Sequence, residues 1–240
     1  MGKQWLFFVV ILLANIIQGI TGFAGTVLAM PFGLMLVGYS LAKPLLNVLG
    51  LLSGIWLLLA NRRCIEWHEL KKILLVMAPG ILAGLGIKSL LAGSEAILGR
   101  MLGAFVIVLA LQGLLIRPRA DRETSPLSEF ALLAGAGIAH GVFVSGGPLL
   151  IGYLAKKVTD KQAFRATISA VWIVLNSMIL VSDLYAGLWT AGSLRSLILS
   201  LPFLAGGMAI GGRLYRSMSQ ALFMKLTYLL LLLAGLSLLL

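Results

Sequence analysis

Apolar residues in this chain come in long blocks. Eight stand out, 5–37, 44–60, 73–92, 97–116, 127–154, 166–183, 195–212 and 220–240. A membrane-spanning helix needs about 20 apolar residues, and six of the blocks read as one such helix each. The first and fifth are too long for one ordinary span, and both carry glycine clusters. One cluster is Gln18-Gly19-Ile20-Thr21-Gly22-Phe23-Ala24-Gly25-Thr26, and the other runs from Gly137 through His140-Gly141 and Ser145-Gly146-Gly147 to Pro148. Glycine lowers helix stability by about 1 kcal/mol relative to alanine. Inside hydrocarbon, broken backbone is tolerated only where protein or a water-filled cavity satisfies its polar groups. Each cluster therefore predicts a helix break at membrane depth that lines something. The rival reading is close helix packing, which small residues also permit.

The clusters are related. A shift of 122 residues places Gln18 on His140, Gly19 on Gly141, Gly25 on Gly147, Thr26 on Pro148 and Asn47 on Ser169. With one more residue, Pro79 falls on Pro202 and Gly84 on Gly207. With two further residues, Ser94-Glu95-Ala96 falls on Ser219-Gln220-Ala221 and Arg100 on Lys225. Landmarks that keep their order along the whole chain predict an internal duplication, 1–122 and 123–240. Such repeats characterise secondary transporters, whose sites form from discontinuous helices at the repeat interface.

Lysine and arginine placement decides how the long blocks lie. If every block crosses once, the 19 basic residues divide almost evenly between the two sides. If blocks 5–37 and 127–154 are hairpins, one side holds only Lys3, Lys43, Lys88, Arg100 and Arg195, and all the others share the opposite side. That asymmetry is the positive-inside pattern. The expected fold is all-α and polytopic, with two inverted repeats. Each repeat is a glycine-broken hairpin followed by three transmembrane helices, 44–60, 73–92 and 97–116 in the first and 166–183, 195–212 and 220–240 in the second. Both termini are predicted outside the cytoplasm, in a cell membrane. Hairpin arms of 12–15 residues, about 20 Å each at 1.5 Å per residue, fall short of the ~30 Å hydrocarbon core. They read either as re-entrant arms or as short spans, entering from opposite faces so that the tips meet near mid-membrane.

Composition narrows the class. The chain is 60% hydrophobic with a mean hydropathy of +1.04, and its longest polar stretches leave no room for a separate catalytic head. A net charge of +11 would suggest nucleic acid in a soluble protein; here the basic residues sit in short loops and set topology, so no nucleic-acid partner is expected. The lone Cys64 excludes a disulfide framework, and no Cys/His spacing suggests a metal. Lys3 before an apolar run resembles a signal peptide, but no small-x-small cleavage site follows, and the repeat needs this segment. Gly80-x-x-x-Gly84 and Gly207-x-x-x-Gly211 are packing stripes, within the monomer or in a homodimer.

After each break the chain re-enters a helix, opened by Thr26 in the first half and by Pro148 in the second, with Ser145 or Gly147 as the cap. Helix N-termini carry unpaired N–H groups and partial positive charge. Two of them on glycine-rich turns can hold an anion without a buried cation. The expected binding set is Gln18, Thr21, Gly22, Phe23, Gly25 and Thr26 from the first break, and His140, Ser145, Gly146 and Gly147 from the second. Asn47, Ser169 and Asn176 join them, the last two from a polar stripe (Thr167, Ser169, Trp172, Asn176) expected to pack on the hairpins. No acidic residue is evident at depth; Glu95, Glu129 and Asp183 read as block-end residues, which argues against a cation carrier. His140 reads either as a donor or proton-coupling group, or as a hydrogen-bonded bridge. A hydrolase built on Ser145 and His140 would lack an acidic orienter, and no cofactor is implied.

Gln18-Gly-x-x-Gly-Phe-x-Gly25 leading to Pro31, and Gly141-x-x-x-x-Gly-Gly-Pro148, resemble the sulfite exporter TauE/SafE family of membrane permeases. The matched Pro-x-x-x-Gly segments after Pro79 and Pro202 support the resemblance, which covers essentially the whole chain. The first motif departs from the family's glycine run at Ala24-Gly25-Thr26. The resemblance implies transport of sulfite or organosulfonates. The expected activity is alternating-access transport of a small anion across the lipid bilayer, not catalysis. A cation or metal permease, or a channel, of the same architecture is the alternative.

Overall fold

A computed structural model describes residues 2–91, 94–115 and 125–215, with a few positions between 228 and 239. Its helices are α1 (Gly2–Thr21), α2 (Ala24–Val37), α3 (Tyr39–Asn61), α4 (Trp67–Leu90), α5 (Glu95–Leu115), α6 (Pro126–Phe143), α7 (Gly147–Lys157), α8 (Lys161–Tyr185) and α9 (Ala191–Leu214). Seven of these are long and apolar enough to cross a membrane; α2, with 14 residues, and α7, with 11, are shorter. The described residues contain no strand. The predicted block 220–240, with Lys225 and Ser219-Gln220-Ala221, lies outside the described residues apart from isolated positions.

Both long blocks fold back on themselves. Gly25 of α2 lies against Ala14 and Gln18 of α1, and Gly33 lies against Phe7, so α2 runs antiparallel to α1. Likewise Gly146 lies against Ala136 and His140, and Gly152 against Leu132. The breaks are narrower than the sequence suggests. In the first, only Gly22 and Phe23 leave the helix, and Gly22 takes φ +85°, a conformation that favours glycine. In the second, Val144 adopts the left-handed conformation at φ 54° and ends α6. The first arms are correspondingly longer than expected. α1 has 20 residues and α6 has 18, which is about 30 and 27 Å at 1.5 Å per residue.

Helix persists through Gly19, Gly137 and Gly141 because a neighbouring helix fills the space that a side chain would take. A β-carbon on Gly19 would lie 3.1 Å from Cα of Gly211, and one on Gly84 would lie 2.4 Å from the Ile138 carbonyl oxygen. Gly80 faces Gly137 and Gly84 faces Gly141 in the α4–α6 pair. Gly207 faces Asn15 and Gly211 faces Gly19 in the α1–α9 pair. Both small-residue stripes are thus occupied within one chain. Lipid supplies no hydrophobic drive between helices, so this close approach and its dispersion contacts hold each hairpin arm to its neighbour.

α3 packs along α8 and joins the two halves. At one end of the bundle, Gln4, Ser40, Thr190, Ser193 and Ser196 line a cavity of about 390 Å³. At the other end, Glu129 accepts Lys72 at 2.9 Å and Lys157 at 2.6 Å. Arg62 and Arg63 follow α3 at this second end, Lys71 and Lys72 open α4, Lys156 and Lys157 close α7, and Arg213 closes α9. These basic residues thus gather towards one end of the bundle.

Candidate functional site

The first hairpin tip is closed by its own side chains. Gln18 Oε1 accepts the Gly25 amide at 2.9 Å, while its Nε2 donates to the Gly22 carbonyl at 3.3 Å and to Ser53 Oγ at 3.2 Å. Thr21 Oγ1 accepts the amides of Phe23 and Ala24 at 3.3 and 3.2 Å, and donates to the Ile17 carbonyl. The opening amides of α2 are thereby engaged. Gln18 and Thr26 line a cavity of about 10 Å³ with Asn15, Gly25, Gly50 and Ser53. That is about the least volume that holds one water. From α8, Arg165 donates to the Gly19 carbonyl at 2.9 Å and stacks on the Tyr215 ring.

The second tip is built differently. α7 starts after Gly146 with Pro148 in its first turn, and no side chain caps it. Ser145 does not supply the expected cap; its hydroxyl donates to the Phe143 carbonyl at 2.9 Å. A β-carbon on Gly147 would stand 3.2 Å from the Phe23 carbonyl oxygen, so the start of α7 abuts the turn of the first hairpin. His140 Nε2 meets Asn176 Oδ1 at 2.8 Å, and its ring lies on Trp172 with centroids 4.9 Å apart. Ser145 and His140 are not joined, so no nucleophile–base pair exists here.

Asn47 and Asn176 are joined, with Asn47 Nδ2 donating to the Asn176 carbonyl at 3.0 Å. Ser169 does not join them. Its hydroxyl bonds back to the Arg165 carbonyl within α8. Thr167 accepts the Glu66 amide and so fixes the start of α4.

Two expectations are corrected. Lys43 is no loop residue, and Asp183 is no block-end residue at the surface. Their side chains form an ion pair with no exposed surface, between the first turns of α3 and the last turns of α8. An acid does lie inside the bundle, paired to a lysine. Glu129 is also buried, within its ion pairs. The sequence contained a signal for the first pair: Tyr39, Lys43 and Asn47 recur at a spacing of four, and Asn176 and Asp183 are seven apart, so each set shares one helix face. Arg165, read as a topology charge, gave no such signal.

The sequence profile described as "Sulfite exporter TauE/SafE" matches residues 7–238. The chain belongs to this family. It is a multi-pass membrane transporter, not an enzyme. It is also similar to a "Probable inner membrane transporter protein TsaS" of Comamonas testosteroni, at 26% identity over 179 residues, 74% of each chain. No solved structure matches it. For a TauE/SafE transporter the geometry has a direct consequence: the space beside Thr26 and Gly25 is too small for any solute larger than water. Any larger solute there would have to part the first hairpin from α3, whose Gly50 and Ser53 close the space.

Proposed function

We propose that this TauE/SafE protein is a secondary transporter of a small anion, a sulfur oxyanion such as sulfite or an organosulfonate. The observation that carries this reading is the apposition of the uncapped N-terminus of α7 with the turn of the other hairpin. Backbone amides and the positive end of a helix dipole offer an anion hydrogen bonds and favourable charge there. His140 stands beside it with Asn176 and Asn47, while Gln18 and Thr21 shape the opposite wall. The sulfur preference rests on the family.

The duplication supports alternating access. Gly25 and Gly146 occupy the same place in their hairpins, each against an alanine carbonyl (Ala14, Ala136) and the β-carbon of a polar residue (Gln18, His140). The α1–α9 and α4–α6 pairs repeat one packing scheme. We read these as two inverted repeats, with the end rich in basic residues facing the cytoplasm and both termini opposite. Rocking of one repeat against the other exposes the gap between tips to each side in turn.

The test is thermal stabilisation of the purified protein by sulfite, sulfate, thiosulfate, sulfoacetate, taurine, acetate and phosphate. A ligand at about 100 times its Kd stabilises by roughly 2.7 kcal/mol. A shift with a sulfur anion that is lost in His140→Ala supports the proposal. Silence across the panel, together with no anion flux in proteoliposomes, would sink it. The buried Asp183 favours a second reading, a cation permease of the same architecture; cation-dependent flux that ignores anions would establish that instead.

A further inference from the structure

A polar column runs through the middle of the bundle, beyond the hairpin tips. α3 contributes Tyr39, Lys43 and Asn47, α8 contributes Asn176 and Asp183, and α6 contributes His140. Tyr39 donates its hydroxyl to the Val142 carbonyl, and Lys43 donates to Asp183 Oδ1. Asn47 donates to the Asn176 carbonyl, and His140 Nε2 meets Asn176 Oδ1. The column links the tip of the second hairpin to the end of the bundle at which α3 begins.

Four buried atoms along it have no hydrogen-bond partner: Asp183 Oδ2, Asn47 Oδ1, His140 Nδ1 and Trp172 Nε1. Buried polar groups are ordinarily paired, so each such atom calls for an explanation. The indole Nε1 is a donor. The other three are acceptors, because His140 Nε2 carries the hydrogen that faces Asn176 Oδ1. An anion cannot satisfy acceptors; a hydrogen can. The column is therefore short of hydrogen-bond donors, although the protein's expected cargo is negative, and Asp183 Oδ2, the carboxylate oxygen among these acceptors, can also take a proton.

The ion pair reconciles these facts. Lys43 and Asp183 together are neutral. An anion brought beside Lys43 would leave one uncompensated negative charge in a medium of low dielectric, which is strongly unfavourable. A proton on Asp183 Oδ2 removes that charge and frees the ammonium of Lys43 for the anion. We infer that the buried Lys43–Asp183 pair is the coupling site of an anion–proton symport, in which Asp183 takes the proton while Lys43 exchanges its carboxylate for the substrate anion. This inference rests on the anion-transport reading above. The proton comes from the hydrated side and forms the Oδ2–H bond. It leaves when the anion departs and Lys43 returns to the carboxylate; no electrons move. The other titratable groups acting on the pair are Tyr39 of α3, His140 of α6 and Lys88 at the end of α4. With Lys88 and His140 on the side of Lys43, Asp183 is the carboxylate within this group.

The experiment uses full-length protein in liposomes loaded with a pH-sensitive dye. Labelled sulfoacetate, isethionate, thiosulfate and sulfate are tested one by one. Their sulfur-acid groups stay ionised at the assay pH, so proton entry cannot ride on protonation of these groups. The wild type is expected to accumulate at least one of them at least tenfold under an inward proton gradient, with proton entry that depends on that anion. In Asp183→Asn the remaining anion flux should be indifferent to the gradient, and anion-dependent proton entry should vanish. Because Asp183→Asn leaves Lys43 buried and unpaired, the double variant Lys43→Met/Asp183→Leu removes both charges. It should melt within a few degrees of the wild type and lose gradient-driven accumulation. Proton-driven accumulation preserved in either variant would overturn the inference and leave the pair as a structural tie between α3 and α8. Anion flux in the wild type without proton entry would overturn it while sparing the transport reading. If no anion moves under any gradient, both fail together.

Discussion

The two hairpins share a plan and differ in how they are finished. In each, a glycine of the returning arm fits against an alanine carbonyl four residues before a polar side chain, at Gly25 with Ala14 and Gln18, and at Gly146 with Ala136 and His140. The first hairpin then turns its polar residue inward, and Gln18 with Thr21 engages the amides that open α2. The second turns its polar residue away, to Asn176, and leaves the start of α7 without a side-chain cap. One tip engages its own opening amides and the other does not. The bases differ as well. The first hairpin is tied at its base by a neutral contact, Gln4 to Ser196 at 3.2 Å. The second is tied by Glu129 to two lysines and by Tyr153 to Glu69 at 2.6 Å. In our transport reading, the first hairpin is the wall and the second is the element that meets the substrate.

The sharpest way to break the comparison is to remove the shared feature. A β-carbon on Gly146 would lie 2.2 Å from the Ala136 carbonyl oxygen, against 2.8 Å from the Ala14 oxygen for Gly25. Overpacking of a tight contact costs about 1–3 kcal/mol. Gly146→Ala should fall at the upper end and Gly25→Ala nearer the lower, both read as melting temperature in detergent. Equal loss at the two positions would mean that the tips are equally tight, and the asymmetry argued here would fail.

That pair of glycines also shows what the sequence can and cannot convey. Within the described residues the apolar blocks, the folding back of the two long ones and the glycine stripes were legible, because hydropathy and charge placement are properties of single segments. The register across the break was not. Sequence alignment pairs Gly25 with Gly147, whereas packing pairs it with Gly146, because the two turns differ in length by one residue. Alignment also pairs Gly84 with Gly207, yet in the bundle Gly84 meets Gly141 as Gly211 meets Gly19, one helical turn further on. Lys43 escaped for a related reason. The apolar block opens at residue 44 in the sequence, but α3 begins at Tyr39, directly after Gly38, and this draws Lys43 into the helix and beside Asp183. The partner of a buried charge lies on another helix, 140 residues away, and no local pattern names it. Among the residues expected to bind, Asn47, Asn176 and His140 are joined by hydrogen bonds, whereas Ser169 turns back on its own helix.

A smaller effect sharpens the contrast between the tips. Backbone amides at the start of α7 should exchange with deuterium faster than those at the start of α2, since side chains of α1 accept hydrogen bonds from the latter. Loss of an N-terminal cap typically costs about 1 kcal/mol, so Gln18→Ala should lower stability by about that amount and speed exchange in the peptide covering residues 22–27. The peptide covering residues 144–149 should be unchanged. Should both peptides respond alike, the tips would be coupled as one unit, and the division between wall and binding element would not hold.

The bases of the hairpins should give the smallest difference, one that salt can isolate. Lys72 and Lys157 retain 42% and 35% of their side-chain exposure beside Glu129, so solvent screens much of their attraction. Pairs of this kind contribute roughly 0–1 kcal/mol. Glu129→Gln should therefore cost about 1 kcal/mol or less at low ionic strength, and the loss should shrink as salt shortens the Debye length towards ~3 Å at 1 M. Gln4→Ala removes a neutral hydrogen bond at the other end, so its cost, a few tenths of a kcal/mol up to about 1 kcal/mol, should not change with salt. Melting curves of both variants across a salt series check this directly. A salt-independent loss for Glu129→Gln would mean that Glu129 acts through burial and shape rather than charge. The ionic clamp would then cease to distinguish the second hairpin from the first, leaving the uncapped start of α7 as the feature that sets it apart.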